Sequence, residues 1–168
     1  MNFVGYVDLE ATIVGSLLVA SSDTPIDADA LPTFRVYGPD GFVTSGSCTL
    51  RNSGDITGAT NASPIVVTSA GHGLTTGAYV NVSGVGGNTA ANGDHVITRI
   101  NADTFSLDGS TGNGEYTSGG TWHVAGLYAY SIDATGAAGF EQGEQYQVQF
   151  TYEVSSTVQG QTHSFNVS

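Results

Sequence analysis

The chain has 168 residues, of which 15 are acidic and three basic; it has no lysine, and its formal net charge is -12. That charge opposes binding to nucleic-acid phosphate or to an anionic membrane, and a lone cysteine, Cys48, rules out an intrachain disulfide. Only 11% of residues are charged and 24 are glycine, while Val, Ile, Phe and Tyr are plentiful among Thr, Ser and Asn, which favours strands separated by turns over helices.

In chain order, the first stretch, "MNFVGYVDLEATIVGSLLVASS", is apolar but has no basic leader and is interrupted by Asp8 and Glu10. It does not read as a signal peptide. No run is long enough to span a bilayer, so synthesis and folding in a cytoplasm are expected. Within this stretch Val7, Leu9, Ala11 and Ile13 alternate with Asp8, Glu10 and Thr12, as in a half-buried strand. Met1–Tyr6 is expected to be an arm that adds a strand to another molecule.

"SDTPIDADALP" carries Asp23, Asp27 and Asp29, oxygen ligands of the type calcium takes. It lacks the glycine and terminal glutamate of the helix-loop-helix calcium loop, and side-chain to backbone bonds in a turn account for the same residues. "DADAL" is the nearest approach to a turn of helix. "TFRVYG" then places Phe34 and Val36 on one face, "GPDG" is a turn with Pro at its second position, and "FVTSGSCTL" is a further strand.

"TLRNSGDITGATN" reads as a strand entering a turn, but the return strand, "GLYAYSID", begins only at Gly126. Between them lie short strands, "SPIVVTS", "AYVNVSG", "DHVITRIN", "DTFSLDG" and "GTWHVAG", separated by Gly-rich turns. Close, regular spacing of this kind predicts a small β-barrel or meander. The expected organisation is therefore all-β: a sandwich from residues 1–54 plus 125–168, interrupted by an inserted β-domain over residues 55–124. A loop tip tolerates such an insertion because its ends stay together.

Past the insertion, Tyr128 and Tyr130 share a face with Ile132, a stripe that suits core or inter-domain contact. "QYQVQFTYEV" alternates without error: Tyr146, Val148, Phe150, Tyr152 and Val154 face one way, Gln and Thr the other. Tyr146, Val148, Phe150, Tyr152, Phe34 and Val36 are thus the expected sandwich core, and Trp122 the core of the insert or its junction. "HSFNV" adds Phe165 and Val167.

No catalytic, cofactor or metal residues are assigned. His72, His95, His123 and His163 lack close paired-ligand spacing, and turn or surface positions account for them. No "GxSxG" elbow marks a nucleophile, and the carboxylates are scattered. An enzyme is not expected. Trp122, Tyr79 and Tyr116 are the aromatics a sugar-binding role would use.

The segments "LPTFRVYGPDGFV", "GLYAYSIDATGAAGF" and "GEQYQVQFTYEV" resemble immunoglobulin-like sandwich domains of bacteriophage structural proteins. The resemblance places Tyr146 as the tyrosine that fixes a sandwich corner. Over most of residues 56–122, "HGL..G", "V.VSGV.G" and "NGDHVITRINADTFSLDG" resemble the β-domain related to the first catalytic cysteine half-domain of ubiquitin-activating enzymes. That stretch contains no cysteine, so the resemblance implies a fold and no activity. Together the two imply a virion protein, assembled in the host cytoplasm, that decorates or cements the capsid with the insert projecting outward. Its partners would be the major capsid protein or other virion proteins, with further copies of itself in the particle. A tail or head–tail joint component, or a carbohydrate-binding adhesion module, is the alternative.

Overall fold

The computed structural model describes residues 4–7, 11–21 and 24–167. The strands in chain order are β1 (Val4–Val7), β2 (Ala11–Leu18), β3 (Ala20–Ser21), β4 (Thr24–Pro25), β5 (Thr33–Gly38), β6 (Gly41–Ser47), β7 (Thr49–Leu50), β8 (Ser53–Asp55), β9 (Gly58–Ala59), β10 (Ile65–Thr68), β11 (Tyr79–Ser83), β12 (Gly93–Arg99), β13 (Thr104–Leu107), β14 (Thr121–Val124), β15 (Leu127–Ala134), β16 (Gln145–Val154) and β17 (Thr157–Val167). Among the described residues the helical content is two 3-10 turns, Thr89–Ala91 and Gly136–Ala138. The chain is all-β, and "DADAL" forms no helical turn.

The chain divides into two compact units, one holding residues up to Thr49 and from Tyr128 onward, the other Leu50–Leu127. The dividing points lie outside the expected 55 and 124, and the hydrogen bonds give the reason. Ser53–Asp55 pair with Thr121–His123, Val124 N–H donates to Asn52 O at 3.0 Å, and Arg51 N–H donates to Leu127 O at 3.1 Å. These flanks are bonded into the ladder of the central unit.

The outer unit is an immunoglobulin-like sandwich. One sheet has the order β1-β17-β16-β5-β6 and the other β2-β15-β7. Period-two alternation sends Tyr146, Val148, Phe150 and Tyr152 of β16 inward, where they join Phe34, Val36, Cys48, Tyr128, Ile132, Phe140, Phe165 and Val167 in one buried cluster. Fully burying one such side chain is worth about 1.5–3 kcal/mol. All pairings within the larger sheet are antiparallel except β1 on β17, which is parallel.

Three strand expectations change here. "VDLEATIVG" contributes to two strands, β1 and β2, with Asp8, Leu9 and Glu10 outside the described residues. "FVTSGSCTL" is divided at Cys48, which ends β6 in the larger sheet before β7 joins the smaller one. The arm expected at Met1–Tyr6 is in part used at home: Val4–Val7 pair with Ser164–Val167, and Met1–Phe3 lie outside the described residues.

The central unit is one seven-stranded sheet, β8-β14-β11-β12-β13-β10-β9, curled as a half-barrel around Ile65, Val67, Val80, Val82, Ile97, Phe105, Leu107 and Trp122. Its two end strands come from a single segment. β8 bonds to β14 and β9 to β10, while between them Ile56 N–H donates to Gly120 O and Thr57 N–H to Thr68 O. One short stretch therefore bridges both edges, which leaves neither end strand as an open template. The five short strands expected from the sequence are β10 to β14; β8 and β9 carry no alternation and were not expected.

Candidate functional site

Tyr146 opens β16, and its hydroxyl accepts the Glu141 N–H at 2.7 Å. Phe140 and Phe165 pack on its ring at 4.8 and 5.6 Å between centroids. This is the corner geometry in which a strand-start tyrosine ties down the preceding connection. Val148, Phe150 and Phe34 belong to the same core, with Phe34, Tyr130 and Phe150 forming a tilted aromatic cluster. Tyr128 and Ile132 are buried and Tyr130 is half-buried against them, all within the sandwich core. Val36 and Tyr152 complete the set, and Tyr152 Oη accepts from Gln161 Nε2 at 3.0 Å.

The Asp-rich loop is tied into the sandwich. Asp29 Oδ1 and Oδ2 accept the Ser155 and Ser156 N–H groups at 3.1 and 2.7 Å. They hold the β16–β17 turn, where both serines have positive φ. Ala28 N–H donates to Tyr128 Oη at 2.9 Å, and the Tyr128 hydroxyl also meets Asp27. Burial raises the Tyr128 pKa. Asp23 lies outside the described residues. Among the described residues, no three His, Cys, Asp or Glu side chains gather as a metal-holding group. Backbone clamping is what the structure gives Asp29.

His72 departs from a surface position. It is buried, its Nδ1 accepts the Leu74 N–H at 3.0 Å, and its Nε2 lies 3.0 Å from Asn101 O. The first bond fixes the tautomer, so Nε2 carries the proton that Asn101 O accepts. Its ring meets Phe105 edge-on at 5.1 Å. Gly71 and Gly73, which flank it in "GHGL", both take positive φ. His95 Nε2 sits 3.1 Å from Ala91 O, His123 is half-buried on β14, and His163 packs edge-on against Phe150 at 5.2 Å.

The aromatics of the half-barrel serve its interior. Trp122 is buried in its core, donates from Nε1 to Ser69 Oγ at 2.7 Å and meets Phe105 at 6.0 Å. Gly54 lies across the indole so closely that a Cβ there would come within 2.9 Å of Nε1. Tyr116 donates to Ile56 O or Gly119 O, each at 3.1 Å, and Tyr79 is half-buried on β11. None of the three is an exposed stacking platform. Cys48 is buried, and burial pushes its thiol up to about 11, which keeps it protonated and unreactive at neutral pH.

β6 ends the larger sheet. Beside it runs a groove of about 280 Å³ lined by Ser45, Gly46, Ser47, Thr49 and Ala129–Ser131, floored by Phe34 and Tyr130. No charged side chain lines that groove. The segment "FVTSGSCTL" has the composition of a strand but carries no sign that it lies at an edge, because an edge is a property of sheet order.

Residues 63–125 match the family model of the ubiquitin-activating enzyme E1 FCCH domain. The matched span lies inside the half-barrel unit and covers less than half of the chain; β8 and β9, which bridge its edges, precede it. No curated protein sequence matches the chain. Among solved structures, the crystal structure of ACE19, the collagen binding subdomain of the Enterococcus faecalis surface protein ACE, aligns over 97% of this chain and 93% of that one, at 12% identity and a TM-score of 0.25. At that level no shared property is inferred. No helix among the described residues is long and apolar enough to cross a membrane.

Proposed function

We propose that the chain is a non-catalytic structural protein of a bacteriophage particle that decorates or cements the capsid surface. In this reading the sandwich docks on the major capsid protein, alongside further copies of itself, and the half-barrel is displayed away from the shell. The supporting observation is the way the insertion is accommodated. β7 and β15 remain neighbours in one sheet, although the chain builds a second hydrophobic core between them. An added module carried on a sandwich that still closes its own hairpin suits a display protein. A net charge of -12 suits partners that are neutral or basic rather than nucleic acid or anionic lipid.

The test is position. Labelled protein is imaged on purified particles, and density over the head is the expected result. Density at the tail or at the head–tail joint would move the assignment there, and absence from particles would overturn the virion reading. The purified protein is expected to give no hits on a glycan array and to leave esters, glycans and nucleotides unchanged.

A further inference from the structure

We propose that β6 is a self-pairing edge, joining two copies of the chain in antiparallel fashion about a two-fold axis at Gly46. Hydrogen-bond phase is the first support. Cys48 N–H donates to Pro32 O at 2.7 Å, and Phe34 stands opposite Gly46 in the β5–β6 register. Antiparallel strands alternate the direction of their backbone groups, so Gly46 bonds inward to β5 while Ser45 and Ser47 aim N–H and C=O away from the sheet. Both serines are exposed.

Charge is the second support. Gly41–Ser47 reads GFVTSGS, with neither a charge nor a proline, the devices that usually protect an edge strand. In a chain of net charge -12, two copies can meet along this strip without opposing carboxylates. With the axis at Gly46, Ser45 of one copy exchanges backbone bonds with Ser47 of the other. Gly46 then faces Gly46 in the close, non-hydrogen-bonded position, where absence of a side chain lets the strands approach. The β-bulge between Val36 and Tyr37 ends the regular ladder toward Phe42 and limits pairing to this short stretch. So small a contact buries less than the roughly 1,200–2,000 Å² of a standard interface, and the pair dissociates on dilution. This inference does not rest on the particle reading.

Sedimentation equilibrium over the micromolar to millimolar range tests it. The expected result is a concentration-dependent shift from 17.2 kDa toward twice that mass. Ser47→Pro deletes the outward donor without touching a bond to β5, and Ser45→Glu sets a carboxylate beside Arg35 of its own chain but near its symmetry mate. Both variants should remain at monomer mass with an unchanged circular-dichroism melt. Register is tested by oxidising a mixture of the Ser45→Cys and Ser47→Cys proteins. The expected product is a mixed disulfide dimer, in excess over the product of either protein alone. A wild type at monomer mass throughout, or self-association that both edge variants leave intact, would overturn the proposal; cross-linking that is no greater in the mixture would overturn the axis at Gly46.

Discussion

The sandwich and the half-barrel solve the same problem by different means. The sandwich uses long strands and an aromatic interior, with Phe34, Tyr130 and Phe150 in one cluster and Phe140, Tyr146 and Phe165 in another. The half-barrel uses short strands, a mostly aliphatic interior and polar side chains that fasten its loops. Asn88, fully buried, donates from Nδ2 to Thr60 O at 2.8 Å and accepts the Asn113 N–H at 3.1 Å. Asn92 grips both backbone groups of Val85. Gly87, at φ 78°, passes so close to Glu115 O that no Cβ fits. Where strands are long, packing specifies the fold; where they are short, loop chemistry must do so, because few ladder bonds are available per strand.

The chain holds one cysteine and one tryptophan, one in each core, so each unit has its own reporter. Thiol labelling of Cys48 follows the sandwich and Trp122 fluorescence follows the half-barrel. The largest expected effect comes from replacing Ser53–Val124 by a short turn. The remnant keeps β7 and β15 and should stay soluble, unfold cooperatively and protect Cys48; aggregation would mean that the sandwich needs the half-barrel to fold. Next, Phe150→Ala should cost about 3–5 kcal/mol, seen in a denaturant titration as earlier Cys48 labelling with the Trp122 transition in place. Asn88→Ala should do the reverse, at about 0.5–1.5 kcal/mol for each of the two part-buried hydrogen bonds it removes. Equal displacement of both reporters by either variant would show one cooperative unit rather than two.

The same contrast explains what the sequence revealed. Alternation made β16 and its buried face legible from Tyr146 to Tyr152, because period two is a property of the segment alone. β10 to β14 were legible because turn residues bracket each. The edge-bridging strands β8 and β9 were not, since "SGD" and "GA" have no apolar pattern and pair only because β14 and β10 stand beside them. The interior place of His72 was missed because its partners, Leu74 N–H and Asn101 O, are backbone groups with no residue-type signature. The candidate edge at Ser45–Ser47 was hidden because sheet order depends on which distant strands arrive next to β5.

Two smaller tests sharpen the sandwich side. Tyr146→Phe removes only the acceptor for Glu141 N–H and should cost about 1–2 kcal/mol, seen on Cys48 and not on Trp122. The last concerns His163, which faces the interior beside Phe150 and whose pKa burial lowers from its ordinary 6.5. The folded state therefore resists taking the proton that the unfolded chain accepts. As pH falls through the ordinary histidine value the unfolded state is favoured, and the loss levels off below the folded pKa. The Cys48 midpoint should decline across that window in the wild type and decline less in His163→Gln, while the Trp122 midpoint should not respond to the substitution. An identical slope in both proteins would place the acid sensitivity elsewhere, and a substitution-dependent Trp122 response would show that the two cores unfold as one.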